Sequence, residues 1–323
     1  MGTSSRFGPG AAALAGLFLL LGACRETSPP KTLTIFHAGS LSVPFRDLSA
    51  LFRQQHPEVK VRAEAAGSRD TARKVSDLGG RCDVLGSADY MVVQNLLMPA
   101  DADFNIRFAT NEMVIAYTHR SRFADRVSAE NWHELLLRDE IHFGRADPNR
   151  DPCGYRTVML FQLAELHYGV EGLARRLERK DGRRFIRPKE TDLLALLEGG
   201  EIDYLFIYRS VAAQHRLEIV ELPEPINLRS PKHATGYERA RVQVTGEKPG
   251  QLLTRTGAPI VYSVTIPKRA QNRELAEAYL ALLLSPRGQA VIKRNGQTPL
   301  VPALTQELER VPARLRPLCE KTE

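Results

Sequence analysis

The chain has 323 residues, with 45 Lys and Arg against 38 Asp and Glu, and a formal net charge of +7. That length suffices for two lobes of ordinary domain size. A basic balance admits nucleic acid, an anionic membrane surface or an anionic ligand as partner. Lys and Arg are scattered along this chain, however, apart from a cluster running from Arg175-Arg176 through Arg183-Arg184 to Arg187, which reads as a solvated loop. The four cysteines form no Cys-x-x-Cys pair and no Cys/His cluster, so a structural zinc site has no support.

The first patterned segment is an apolar run over residues 11–21, preceded by the single charge of Arg6. It is too short to span a bilayer as a helix, which takes about 20 apolar residues. A charged start, a short apolar core and small residues before a cleavage point describe a secretory signal over residues 1–23. The ending Leu21-Gly22-Ala23-Cys24 looks like a bacterial lipobox, in which Cys24 would be diacylated; a chance cysteine is the alternative. Residues 24–31, with two prolines, read as an extended tether. The expectation is an exported protein, lipid-anchored on the periplasmic or extracytoplasmic face of the membrane. Export argues against nucleic acid. Cys82, Cys153 and Cys319 then remain, with no paired spacing to suggest a disulfide framework.

Strand-like and helical runs alternate from there. Residues 33–36 read as a strand, and residues 43–55 carry Phe45, Leu48, Leu51 and Phe52 at helical spacing before Pro57. Residues 59–65 alternate like a strand. Gly67-Ser68 opens a helix with Ala72, Val75 and Leu78 on one face, stopped at Gly79, and residues 83–85 form a third strand. Strand, Gly-Ser and helix, twice over, predict an open parallel α/β sheet, in which ligands sit beyond the carboxyl ends of the strands. Two longer β segments, residues 108–118 and 258–266, are expected to pair and to cross between lobes. Between them lie a strand at 141–144, a helix at 155–167, a short helix at 192–198, a strand at 202–208 and a helix from Ser210. Helices at 273–284 and 289–294 flank Ser285-Pro286-Arg287-Gly288. The expected architecture is α/β, with two open sheets, flanking helices, a hinge of crossing strands and a cleft between two lobes. Residues 32–109 would begin lobe 1, 110–266 form lobe 2, 267–316 return to lobe 1, and 317–323 be a tail.

Ser40 and Ser68 share one local context: each follows a strand and a glycine at a helix start. A helix N-terminus offers unpaired N–H groups and the positive end of its dipole, and a serine adds a hydroxyl. Two such ends in one lobe would make an oxyanion site. Each serine also reads as an ordinary helix cap, as does Asp151 in the rigid turn Asp147-Pro148-Asn149-Arg150-Asp151-Pro152.

The chain resembles the tungstate/molybdate-binding components of ABC importers, in their archaeal-type branch. The resemblance is carried by Phe36-His37-Ala38-Gly39-Ser40-Leu41, Gly67-Ser68-Arg69, Ser87-Ala88-Asp89-Tyr90 and Thr110-Asn111-Glu112-Met113-Val114-Ile115-Ala116-Tyr117. It continues through Asp151-Pro152-Cys153-Gly154-Tyr155-Arg156, Arg187-Pro188-Lys189-Glu190-Thr191-Asp192 and Asp203-Tyr204 to Tyr208-Arg209-Ser210-Val211-Ala212. It implies a two-lobed periplasmic-binding-protein fold of type II, a tungstate or molybdate ligand, no cofactor and no catalysis. It also implies ABC permease and ATPase subunits as partners of a monomer. By the same resemblance, Ser40, Ser68 and Tyr208 donate hydroxyls to the oxyanion, and Asp151 and Glu190 bind its metal atom. Backbone N–H groups around Cys153-Gly154 and Glu190 would add donors.

Two carboxylates facing a dianion repel it strongly in a partly dry cleft. Sulfate and phosphate gain nothing in return, whereas molybdenum and tungsten accept two further oxygens and reach six-coordination, which offsets the repulsion. Two other functions are carried forward: a binding protein for sulfate or phosphate, and an exported hydrolase using Ser40 or Ser87. The latter lacks a Gly-x-Ser-x-Gly elbow and a recognisable paired base. Plainer roles are expected elsewhere. Asp89-Tyr90 closes a strand, Glu112 is structural on the hinge, and His37 and Trp132 pack. Cys153 is a small residue in a tight turn, while Tyr155 and Arg156 orient Asp151 or the anion.

Overall fold

Alternating burial along short β-branched runs and 3.6-residue periodicity between them give this chain its elements. A computed structural model describes residues 1–2, 31–180, 182–246 and 250–322. Arg6, the apolar run and Cys24 lie outside the described residues. Lys31–Glu323 forms one compact unit, and among the described residues no helix is long and apolar enough to cross a membrane.

In chain order the first half runs β1 (Thr32–Ala38), α1 (Ser42–Gln55), β2 (Lys60–Ala66), α2 (Ser68–Ser76), β3 (Val84–Ser87), α3 (Tyr90–Leu96), β4 (Ile106–Asn111), β5 (Met113–Tyr117), α4 (Trp132–Leu135), β6 (Phe143–Ala146) and α5 (Pro152–Tyr168). There follow α6 (Leu173–Arg179), β7 (Ile186–Arg187), α7 (Leu194–Glu198), β8 (Tyr204–Tyr208), α8 (Arg209–Gln214), β9 (Glu218–Glu221), α9 (Ala234–Tyr237), β10 (Arg241–Thr245), β11 (Leu252–Thr256), β12 (Ile260–Thr265), α10 (Arg273–Leu284), α11 (Pro286–Arg294), β13 (Thr298–Thr305) and β14 (Cys319–Lys321).

The strands form a seven-stranded sheet in the order β14-β13-β4-β12-β3-β1-β2, a five-stranded sheet in the order β7-β6-β8-β5-β9, and the β10–β11 hairpin. Each large sheet is the base of one lobe. Both are mixed rather than parallel. The predicted β-α-β run gives parallel β1, β2 and β3, but β12 lies antiparallel to β3 and β4. In the second lobe β5 runs antiparallel to β8 and β9. β12 and β5 each arrive from the other lobe instead of through a crossover helix, so no right-handed βαβ unit sets their direction.

The hinge is β4 running into β5 with Glu112 between them, so that one nearly continuous stretch serves both sheets. The two long β segments pair as expected, with Ile260 opposite Asn111 and Val264 opposite Ile106. That pairing corrects the lobe boundaries. The chain is back in the first sheet by Ile260, not after residue 266. Within the expected tail, Cys319–Lys321 form β14, which pairs in parallel with β13. Backbone pairing at the sheet edge holds this segment. The Arg175–Arg176 part of the basic cluster is helical, on α6, because Leu173 and Leu177 are fully buried at helical spacing.

The first lobe is fixed by α1, whose Phe45, Leu48 and Phe52 are fully buried. Tyr279 of α10 meets the Phe45 and Phe52 rings at 6.0 and 5.4 Å, and its hydroxyl hydrogen-bonds Ser49 Oγ at 3.2 Å. Burial of each such aromatic side chain stabilises by about 1.5–3 kcal/mol, so this packing anchors the turn at the start of α1 where Ser40 sits.

Candidate functional site

Ser40 lies in a 3-10 turn, Gly39–Leu41, directly beyond the carboxyl end of β1, and Ser68 opens α2 beyond the carboxyl end of β2. The parallel register of β1 and β2 places these two ends side by side. From the other lobe, Asp151 caps α5, Glu190 opens the 3-10 turn Glu190–Leu193 after β7, and Tyr208 ends β8. All five are at most 2% exposed.

The structure brings them together. A Cβ on Gly39 would lie 3.3 and 3.4 Å from the two carboxylate oxygens of Glu190, so glycine lets Glu190 approach the backbone beside Ser40. A Cβ on Gly67 would lie 2.3 Å from the Arg150 carbonyl oxygen and 3.1 Å from that of Pro188. Glycine before Ser68 therefore permits a contact that no other residue allows. The Glu190 N–H donates to Asp151 Oδ2 at 3.4 Å, joining the two carboxylate-bearing turns.

The hydroxyls share a common polarity. Ser40 Oγ accepts from the Tyr262 hydroxyl at 3.0 Å, Ser68 Oγ accepts from the Ala88 N–H at 3.0 Å, and the Tyr208 hydroxyl accepts from Arg156 Nη1 at 2.8 Å. Each oxygen takes its hydrogen bond from the protein, which leaves its own proton to donate into the cleft. Tyr262 is itself held by Asn111 Nδ2 at 3.1 Å. Arg156 also donates to the Ala88 carbonyl at 2.7 Å and pairs with Asp89 at 3.3 Å. Burial works against its charge, yet Tyr208, Asp89 and Tyr155 hold its pKa above the ordinary value. Burial raises the Tyr208 hydroxyl well above its usual value, so it stays protonated.

The carboxylates have the opposite character. Burial first, then the Glu190 charge, hold the Asp151 carboxyl well above the ordinary carboxylate range. Glu190 Oε1 is buried without a hydrogen-bond partner. Leaving such a group unpaired costs about 1–3 kcal/mol or more.

Some expectations change in detail. The Cys153 N–H caps onto Asp151 Oδ1 at 2.8 Å, the Gly154 N–H goes to the Asp151 carbonyl at 3.0 Å, and the Glu190 N–H goes to Asp151 as well. The Cys153 and Glu190 N–H groups hold the carboxylate, and the Gly154 N–H the main-chain carbonyl, instead of facing an anion. In α2 the Arg69 and Asp70 N–H groups are taken by the Arg150 carbonyl, at 3.1 and 3.4 Å. The α5 and α2 termini thus bind protein atoms, and side-chain hydroxyls carry the donation. Cys153 is fully buried, with its thiol pushed up by burial and then by Glu190 and Asp151. His37 packs edge-on against Phe45 at 5.5 Å and turns Nδ1 to the Ala38 carbonyl. Glu112 lies at the hinge with Arg209 and Asn227 on its carboxylate. Tyr262 is the residue that sequence reasoning missed, for it looks like any other apolar position of a long strand.

Residues 33–298 match the sequence profile of the bacterial extracellular solute-binding proteins. The chain belongs to this family. A solute-binding protein of Petrotoga mobilis is 48% identical, with 88% of each chain covered. The molybdate/tungstate-binding protein WtpA of Pyrococcus abyssi is 40% identical over 98% of this chain and 99% of its own. The periplasmic molybdate-binding protein of Azotobacter vinelandii superposes with a TM-score of 0.59 at 17% identity, covering 82% of this chain and 98% of that one. That likeness shows the two-lobed binding-protein fold. In this solute-binding protein, as the fold leads one to expect, the assembled residues lie between the two sheets and beyond the carboxyl ends of β1 and β2.

Proposed function

We propose that this solute-binding protein captures tungstate or molybdate in its interlobe cleft and delivers it to the permease and ATPase subunits of an ABC importer. The observation that carries this reading is the buried pair Asp151 and Glu190, with Glu190 Oε1 unpartnered, opposite the donor hydroxyls of Ser40, Ser68 and Tyr208. The hydroxyls suit the oxo groups of a tetrahedral dianion. The carboxylates repel any such dianion unless its central atom accepts their oxygens. Tungsten and molybdenum do so, and sulfur and phosphorus do not. The pair therefore selects against sulfate as well as for the metal oxyanions. The molybdate/tungstate-binding relative supports the same assignment.

A hydrolase reading finds no foothold in these bonds. Ser40 and Ser68 accept from Tyr262 and a backbone N–H, and the Ser87 hydroxyl donates to the Asp89 carbonyl at 2.7 Å. Calorimetric titration with tungstate, molybdate and sulfate tests the proposal, together with X-ray absorption on the loaded protein. Tight tungstate and molybdate binding, weak sulfate binding and a six-coordinate metal are expected. Sulfate binding as tightly as tungstate would overturn the role given to the carboxylates. Export and anchoring through a diacylated Cys24 complete the proposal. Cys24→Ala should move the protein from the membrane fraction to the soluble fraction, and unchanged membrane retention would refute the anchor.

A further inference from the structure

A second cavity, of about 260 Å³, lies between α3, α5 and β11 and contains none of the five residues above. Asp89 and Met91 line it from the first lobe, and Tyr155, Arg156, Met159 and Arg255 from the second. Arg255 sits at the buried position of β11, opposite Val242 of β10, and is only 6% exposed. Its Nε and Nη2 are buried and have no hydrogen-bond partner.

An unpaired guanidinium in such a place is costly, by several kcal/mol once relaxation is allowed for. Buried charges are ordinarily paired. The buried carboxylate lining the cavity is already committed: Asp89 accepts from the Tyr155 hydroxyl and from the Met91 N–H at 2.9 Å, and pairs with Arg156 Nη2 at 3.3 Å. Glu238 also lines the cavity, but from the exposed surface. A further cation, outside the cavity lining, acts on Arg255. Arg69 is fully buried, has Nη1 without a partner, and has its pKa brought down to about 10, by burial first and with Arg255 among the cations pressing on it. Arg255 thus lines an open cavity with two unpartnered guanidinium nitrogens and a second cation pressing on it.

We infer that this cavity is a second ligand site, which takes a small organic carboxylate through Arg255. The planar fork of the guanidinium matches a carboxylate with two parallel N–H···O bonds. The side chains of Met91, Met159 and Pro259 supply an apolar wall for a short hydrocarbon group, which an inorganic oxyanion does not have. The walls belong to both lobes, so an occupant bridges them at a place separate from the Asp151–Glu190 pair.

The test uses the full chain purified in detergent and carboxylate-free buffer, with methionine methyl groups labelled for NMR and acetate, propionate and butyrate as probes. The Met91 and Met159 methyl signals should shift on titration while those of Met98 and Met113 stay in place. Affinity should rise from acetate to butyrate, in the millimolar range of about 4 kcal/mol. Arg255→Met preserves the packing and should weaken butyrate binding at least about tenfold, with tungstate affinity unchanged and the melting temperature raised, because the unpaired buried charge is gone. Should Arg255→Met fail to fold, Arg255→Lys, which keeps the charge and loses the planar fork, should weaken butyrate binding instead. Absence of methyl shifts with all three probes would overturn the inference, as would butyrate shifts that persist undiminished in a folded Arg255 variant.

Discussion

Each of Ser40, Ser68 and Tyr208 has its oxygen occupied by a protein donor, so none can turn its proton inward without losing a bond. A hydrogen bond to a charged group contributes about 1.5–3 kcal/mol. On the proposed reading, Ser68→Ala should weaken tungstate about tenfold by calorimetry, a loss of ~1.4 kcal/mol. The carboxylates carry more. Asp151→Asn keeps the acceptor for the Cys153 N–H and removes the charge. It should lower tungstate affinity by more than about a hundredfold, ~2.7 kcal/mol. The same variant has an effect on stability. Burial and Glu190 raise the folded-state pKa of Asp151. The stability linked to its proton is therefore fully present below the unfolded carboxylate value, ~3.9, and is lost as pH rises through the raised value. Without ligand, Asp151→Asn should melt higher than the parent at neutral pH, by about 2–4 °C per kcal/mol for a body of this size, and the gap should close on acidification. A lower melting point at pH 7 would contradict this account. The Gly-Ser repeat made Ser40 and Ser68 legible from local pattern. Asp151 and Glu190 became legible only through family resemblance, because a capping Asp and a loop Glu carry no distinguishing local signal. Tyr262 was not legible, since its hydroxyl reaches Ser40 only once β12 has paired between β3 and β4.

Among the elements, α2 has two tasks. Its first residue belongs to the cleft, and its next two N–H groups hold the Arg150 carbonyl of the opposite lobe. Gly67 makes both possible. A methyl group there would stand 2.3 Å from Arg150 O, closer than any real contact, so the lobes would have to part. Gly67→Ala should leave the melting temperature within a few degrees and weaken tungstate binding at least about tenfold, ~1.4 kcal/mol, read by circular dichroism and calorimetry. A collapse of the fold would place the strain inside the first lobe instead. Helices and strands were readable because periodicity is local, as the 3.6-residue spacing of Phe45, Leu48 and Phe52 shows. The mixed direction of both sheets was not, nor was the return of β12 to the first sheet or the pairing of β14 with β13. Those depend on partners far away in sequence, on which a strand's own alternation is silent.

Across the whole molecule, the lobes meet through protein atoms as well as around the cleft. Arg69 Nε donates to the Asn149 carbonyl at 3.0 Å, Arg73 Nη2 donates to Thr245 Oγ1 at 2.9 Å, and Arg150 pairs with Asp70 at 2.6 Å. The last pair is partly exposed and contributes at most about 1 kcal/mol. The hinge at Glu112 is pinned by the Arg209 N–H on its carbonyl at 3.0 Å. Hinge closure of this kind is an equilibrium, and apparent affinity is the intrinsic affinity scaled by the fraction of molecules able to close. Arg73→Met should therefore speed the release of tungstate and molybdate by the same factor, measured by stopped-flow displacement, and leave their ratio untouched. A change in that ratio would mean that Arg73 senses the cargo.

The Arg150 carbonyl gives this division its wider meaning. It is a main-chain atom, bonded to main-chain N–H groups, and no side-chain replacement at residue 150 deletes it. Rim side chains such as Arg73 and Asp70 can be exchanged without deleting that bond. A lineage facing scarce or plentiful metal can thus retune how long the cargo stays by changing the rim, while the chemistry that decides which cargo enters is inherited intact.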